Sequence, residues 1–275
     1  MGNFKYTYNV EEFDRFFNTR LLPMLKSLSD KRFLPFPWVK KTTAKEAFDI
    51  VCNILGRFSP YEEKHTQNFD NFLRDLRIFP DFFSVKYNAC FKGNSSGKDF
   101  DAKSLELYKN DGIKDKLVWK GVLISVPYYQ KTHGKIFFKK RNTAFDNSDA
   151  IKVIFNNKNY EDILEKSVLK KGETYLDVIA QNYFVTFTNK LDQQNFSNDE
   201  LCKKICTVIK KYNCNISFAI LNNNLFIALS SVNNHSSYTE NGWFDFNHDF
   251  TDEDFMKDIF QQFETVVMTI KLLNS

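Results

Sequence analysis

Apolar residues recur at helical spacing through the first 80 positions and at strand spacing thereafter. Phe13, Phe16, Phe17, Leu21, Leu25 and Leu28 form one face of a first helix, opened by Asn9 and Glu12 at capping-box spacing. Pro23 should kink or end it. After a connector holding Pro35 and Pro37, Thr43 and Glu46 read as a second capping box. Phe48, Val51, Cys52 and Leu55 then give a buried face, and Gly56 a stop. A third helix is expected from Ser59, with Pro60 at its first position, through Phe69, Phe72, Leu73 and Leu76 to Pro80.

Beyond Pro80 the period shortens towards two. Strands are predicted at Phe83–Phe91, Lys98–Tyr108, Leu117–Pro127, Lys135–Lys140, Ala150–Phe155 and Tyr183–Thr188. Val118 to Val126 is the densest apolar run, so it should be central, with Trp119, Val122 and Ile124 largely buried. Lys131 to Gly134 reads as a hairpin turn joining it to Lys135–Lys140. Ser197 and Glu200 cap a helix through Leu201, Ile205, Val208 and Ile209. Asn215–Leu221 and Leu225–Ser230 then flank an Asn-rich hairpin turn. Thr251 caps a last helix with Phe255, Ile259, Phe263, Val266, Val267, Ile270 and Leu273 along its buried stripe. The expected class is α+β: an N-terminal helical region over residues 1–80, then a domain over 81–275. That domain is a mostly antiparallel sheet with the C-terminal helix packed on it.

Composition sharpens this only in part. At 275 residues, 43% hydrophobic and 26% charged, the chain has the balance of a globular protein, and its 30 Phe are well above ordinary usage. Lys and Arg number 38 against 34 Asp and Glu, a net +4. Arg occurs only at positions 15, 20, 32, 57, 74, 77 and 141, which weighs against bidentate phosphate or guanine recognition. The Lys surplus fits the usage of AT-rich coding sequence. Five Cys form no disulfide framework, so a reducing, cytoplasmic setting is expected. No secretory leader or membrane span is expected either, for want of an apolar run of sufficient length. Tyr6 stands where a myristoylation signal wants Ser or Thr.

The candidate chemistry is thin. Gly93-Asn-Ser-Ser-Gly97-Lys98 has three residues between its glycines where a phosphate loop needs four, so it reads as a turn. Asp245, Asn247 and Asp249 imitate the start of a calcium loop, but Phe250 and Met256 stand at its sixth and twelfth positions. Cys202, Cys206 and Cys214 lack a fourth ligand at zinc spacing and read as core residues. His65, His133, His235 and His248 are scattered, in no catalytic motif. Neither a cofactor nor a metal is expected, and no catalytic residue is assigned. What remains is a basic, aromatic segment in which Lys131, Lys135, Lys139, Lys140 and Arg141 accompany Phe137 and Phe138. It is a weak candidate for anion binding. Strand alternation divides these cations, placing Lys135 and Lys139 on one face and Lys140 on the other.

Several segments together resemble a bacterial family catalogued as domain of unknown function 3137. They are Phe91-Lys-Gly93 through Phe100, Val118-Trp-Lys-Gly-Val-Leu-Ile124 and Asn182 through Phe187. The helix through Leu201 and Ile209, Ile216-Ser-Phe218 and Leu225 through Ala228 complete the likeness, which covers roughly Phe82 to Ser275. The resemblance implies a bacterial protein with an α+β domain and no assigned catalytic residues. Many members carry hydrophobic segments before the domain; the helical first 80 residues here depart from that pattern. The sequence reading is therefore a non-catalytic bacterial cytoplasmic protein that binds a protein partner through its α+β domain. Its rivals are a hydrolase or transferase with a site not visible in sequence, and a peripheral module binding anionic lipid or nucleic acid through residues 131–141.

Overall fold

A computed structural model describes residues 10–32, 37–64, 66–110, 112, 114–129, 132–140, 151–155, 158–160, 175–180, 183–196, 200–211, 215–230, 243–246 and 248–274. Helix α1 (Val10–Phe16) passes through a π-helical turn (Phe17–Leu21) into α2 (Leu22–Arg32). Pro23 thus neither ends the helix nor lacks accommodation. The wider turn directly before it makes room where a ring would clash with the carbonyl four residues back. Helix α3 (Pro37–Leu55) starts at its proline, six residues before the expected cap. Thr43 lies inside it, and its buried hydroxyl donates back to the Val39 carbonyl at 3.1 Å. Ser59 and Pro60 belong to a strand, β1 (Phe58–Pro60), because the edge of the sheet claims their backbone. The next helix, α4 (Gln67–Asp75), is capped by Thr66, whose side chain accepts from the Phe69 N–H at 3.3 Å.

Strands β2 (Ser84–Ser95), β3 (Lys98–Asn110), β4 (Asp115–Pro127), β5 (Ile136–Lys140), β6 (Ile151–Phe155) and β7 (Lys158–Tyr160) follow. After α5 (Tyr175–Ala180) come β8 (Tyr183–Phe187), α6 (Lys190–Phe196) and α7 (Glu200–Lys211). The chain closes with β9 (Asn215–Leu221), β10 (Asn224–Ser230) and α8 (Glu253–Asn274). Asp252, rather than Thr251, caps α8 by accepting from the Phe255 N–H at 2.9 Å. Residues 197–199, where the α7 capping box was expected, lie outside the described residues.

The ten strands among the described residues form one sheet in the order β1-β2-β3-β4-β10-β9-β5-β8-β6-β7, antiparallel except at the β6–β8 pair. The fold is thus α+β, with a helical N-terminal region, a mostly antiparallel sheet and a C-terminal helix. The β9–β10 hairpin turns through Asn222 and Asn223, both at positive φ, as its Asn-rich sequence requires. One expectation fails. β4 and β5 are not a hairpin, because β10 and β9 lie between them. A strand as apolar as β4 is best buried with strands on both sides, and β10 (Leu225, Ile227, Leu229) supplies a better apolar face than the mixed β5.

Each face of the sheet carries its own core. One face packs Phe91, Ala102, Val122, Ile124, Ile227, Phe218 and Phe138 against α1–α3, α7 and α8 in a continuous cluster. The N-terminal helices therefore share their core with the sheet. The other face packs Leu105, Leu107, Leu123, Phe137 and Phe226 beneath α4 and the Leu76–Phe82 connection. Val122 and Ile124 are fully buried on an interior strand as expected. Trp119 is only half-buried, because alternation turns it to the α4 face, where its ring meets Phe79 at 4.8 Å. Among the described residues no helix is long and apolar enough to cross a membrane.

At Gly121 the backbone of β10 lies close against β4. A Cβ there would stand well inside van der Waals contact of the Leu229 carbonyl oxygen and 2.7 Å from the Trp119 ring. Gly121→Ala is expected to destabilise the protein by about 3 kcal/mol. Gly97→Ala, at φ +77° facing open space, should cost only about 1 kcal/mol. Urea unfolding of the two variants checks this; equal losses would contradict the close approach.

Candidate functional site

A cleft of about 800 Å³ opens between α3, the residues after β1, the first half of β2 and the turn at Trp243–Phe246. Its position follows from a knot of phenylalanines. Phe263 of α8 lies 4.7 Å from Phe58, 5.1 Å from Phe91 and 4.6 Å from Phe244, ring centroid to centroid. Phe48 of α3 stacks on Phe263 at 6.1 Å and meets Phe246 edge-on at 5.5 Å. Such pairs contribute about 0.5–1.5 kcal/mol each beyond the area they bury, and they fix α3 against the sheet. The 243–246 turn is pinned from both sides. The Phe244 N–H donates to Gln262 Oε1 at 2.6 Å, and the Ser104 hydroxyl donates to the Trp243 carbonyl at 2.5 Å. Phe244 holds φ at +52°, which a bulky residue adopts only when its surroundings insist.

Two ionic groups line or underlie the cleft. Glu106, 4% exposed in the middle of β3, accepts from Asn88 at 3.0 Å, Lys120 at 3.1 Å, Lys86 at 3.2 Å and the Tyr108 hydroxyl. Burial alone would raise its pKa. The hydrogen bonds from Tyr108, Asn88 and Lys120 outweigh that and hold it at about 2. The second group surrounds Lys103, which pairs with Glu63 and, at 3.2 Å, with Asp101. Its ammonium donates to the Tyr61 hydroxyl at 2.6 Å and sits over the Tyr61 and Phe69 rings at 5.0 and 5.3 Å. The Tyr61 hydroxyl in turn donates to Asp101 at 2.5 Å.

The cleft's thiol and phenols are held away from neutrality. Burial pushes the Cys90 thiol up to about 12. Burial and donation to Asp101 raise the Tyr61 phenol, and burial raises Tyr87. The cleft therefore offers shape, aromatic surface and fixed charge, and burial leaves its thiol unactivated.

The cations singled out in sequence are dispersed. Lys135 and Lys139 are exposed, and Lys140 is half-buried. Phe137 packs into one core and Ile136 and Phe138 into the other, so Lys139 and Lys140 project from opposite faces. Lys131 and Arg141 lie outside the described residues. The segment before β5 is tied down instead. Asp192 accepts from the His133 N–H at 2.9 Å and approaches its ring Nδ1 at 3.2 Å, and the Lys135 N–H donates to Thr188 at 2.6 Å.

Gly93–Ser95 finishes β2 and Lys98 opens β3, as a turn reading requires; these residues border a second, open basin of about 1070 Å³ lined by charges of both signs. In the calcium-like stretch, Asp245 faces Lys120 at 3.9 Å and Asp249 accepts from Thr251, while Asn247 lies outside the described residues. Cys202 is fully buried, whereas the Cys206 side chain and all of Cys214 lie outside the description.

Sequence reading missed Asp49, Tyr61, Glu63, Lys86, Asn88 and Glu106 as members of one region. A signal existed. Lys120 interrupts the apolar run from Val118 to Val126 and Glu106 stands between Leu105 and Leu107, and a charge in such a place must find a partner. No family model, no curated protein and no solved structure matches the chain.

Glu106 makes stability depend on pH. Its folded pKa lies below the ordinary 4.5, so the native state releases this proton more readily than the unfolded chain. The stabilisation is present above about pH 4.5 and is lost as pH falls through about 2. Glu106→Gln should cost about 2 kcal/mol near neutrality, after allowing for solvent screening at Lys86, and should flatten the acid limb of the stability curve. Parallel curves for parent and variant, followed by denaturant unfolding, would contradict this.

Proposed function

We propose that the chain is a non-catalytic protein of the bacterial cytoplasm that binds a protein partner through its α+β domain, at the cleft that β2 of this domain forms with α3 of the N-terminal region. One observation carries the reading. The cleft is large and aromatic, yet its thiol and phenols stay protonated at neutral pH and Glu63 and Asp245 face lysines. General acid–base work needs a group poised near the working pH, and burial moves the thiol and the phenols away from it. Aromatic walls with a charged rim suit a protein contact. The division of Lys139 and Lys140 between two faces weighs against a polyanion surface on β5. The buried thiols of Cys52 and Cys90, in no disulfide, support a reducing compartment.

The test is a photo-cross-linking residue placed at Lys41, on the cleft rim, in the full chain within its native host. A discrete protein adduct is expected from that position. A second probe at Leu191, exposed on α6 beside β8 and far from β2 in the strand order, should give none. Adducts of equal yield at both positions, or none at Lys41, would overturn the proposal.

A further inference from the structure

The charged groups around the cleft are nearly all spent on one another. Lys45 holds Glu62 at 2.5 Å, Lys103 holds Glu63, Lys86 reaches Glu106 at 3.2 Å, and Asp245 lies 3.9 Å from Lys120. Asp49 is different. It lines the cleft from α3, is half-buried, and makes no hydrogen bond or ion pair with any described residue. Burial raises its pKa, Lys45 opposes that, and Glu46 and Glu62 add to it. Lys41 shares the cleft but stands two helical turns away, about 12 Å along the axis. A carboxylate taken partly out of water without a partner costs free energy that an incoming cation would recover.

The surroundings favour one kind of cation. Phe48 and Phe246, in edge contact and largely buried, line the same cleft, and a guanidinium is both planar and weakly hydrated. An ammonium would surrender more hydration to enter. Lys86–Ala89, which line the same cleft, belong to the part of β2 that β1 leaves uncovered among the described residues, the Cys90 carbonyl being taken by the Tyr61 N–H. A segment lying along that edge would bring a side chain within reach of α3.

We propose that Asp49 is the seat of an arginine side chain from the partner protein, the guanidinium resting between the carboxylate and the aromatic wall of the cleft. The assignment rests on the protein-binding reading above and names the chemistry that the partner presents.

The test is a titration of the ¹⁵N-labelled full chain with N-acetyl-arginine amide, followed by NMR. Parallel titrations use the lysine amide and the uncharged, isosteric citrulline amide. Arginine amide is expected to shift the backbone signals of Asp49 and Asn88, lysine amide to do so more weakly, and citrulline amide to leave them in place. Asp49→Asn, whose folding is read from the same spectra, should weaken the arginine effect by about tenfold or more. Equal response to citrulline, shifts only elsewhere, no shift at all, or unchanged binding by Asp49→Asn would overturn the assignment. Should arginine fail while Lys41 still cross-links a protein, the binding reading stands and only the arginine seat falls. Loss of both would remove both.

Discussion

The contact of Phe263 with the rings of Phe48, Phe58, Phe91 and Phe244 is the constraint from which the rest of this molecule follows. Those five rings come from α3, β1, β2, the 243–246 turn and α8, elements spread over more than two hundred residues. Aromatic rings have few rotatable bonds and a preferred edge-to-face geometry, so a knot of them fixes orientation as well as distance. Once α3 is held on the sheet, the first half of β2 faces its flank across a gap. Once the turn carrying Phe244 is held, one end of that gap is closed. The cleft is therefore a by-product of packing, and it has the rigidity of the core behind it.

Charge is distributed in the same economical way. Isolated buried charges are expensive, and a buried pair is weak evidence for added stability, but removing one partner leaves the other stranded. Glu106 and Lys120 face each other on neighbouring strands, and Glu63 reaches from the loop after β1 to Lys103 on β3. These pairs tie the strands and the loop into one arrangement. They also consume most of the ionic capacity of the region, and Asp49 stands out against that background.

Much of the architecture was legible in the sequence because it rests on local periodicity. The apolar stripe from Phe13 to Leu28, the stripe along α8 and the β9–β10 hairpin all follow from spacing and turn chemistry. What misled was local punctuation that tertiary contact overrode. Thr43 has the residue type of a cap, yet Pro37 starts the helix earlier; Ser59 and Pro60 look like a helix start, yet their backbone pairs with β2. The alternation that separates Lys139 from Lys140 was readable, whereas the neighbours of β4 were not, since no periodicity says which distant strand will pair. The cleft was illegible for the same reason: Asp49, Tyr61, Lys86 and Asp245 meet only through the fold.

The placement of β9 and β10 between β4 and β5 has a consequence for the birth of the chain. β4 ends at Pro127 and its partner β10 ends at Ser230, so on the ribosome this strand waits for roughly a hundred further residues. At ordinary rates of synthesis that interval is on the order of 5–20 s. Throughout it, the edge bearing Val122, Ile124 and Val126 has β3 on one side and open backbone on the other. That edge gains its second neighbour only when the late hairpin arrives to fill the gap.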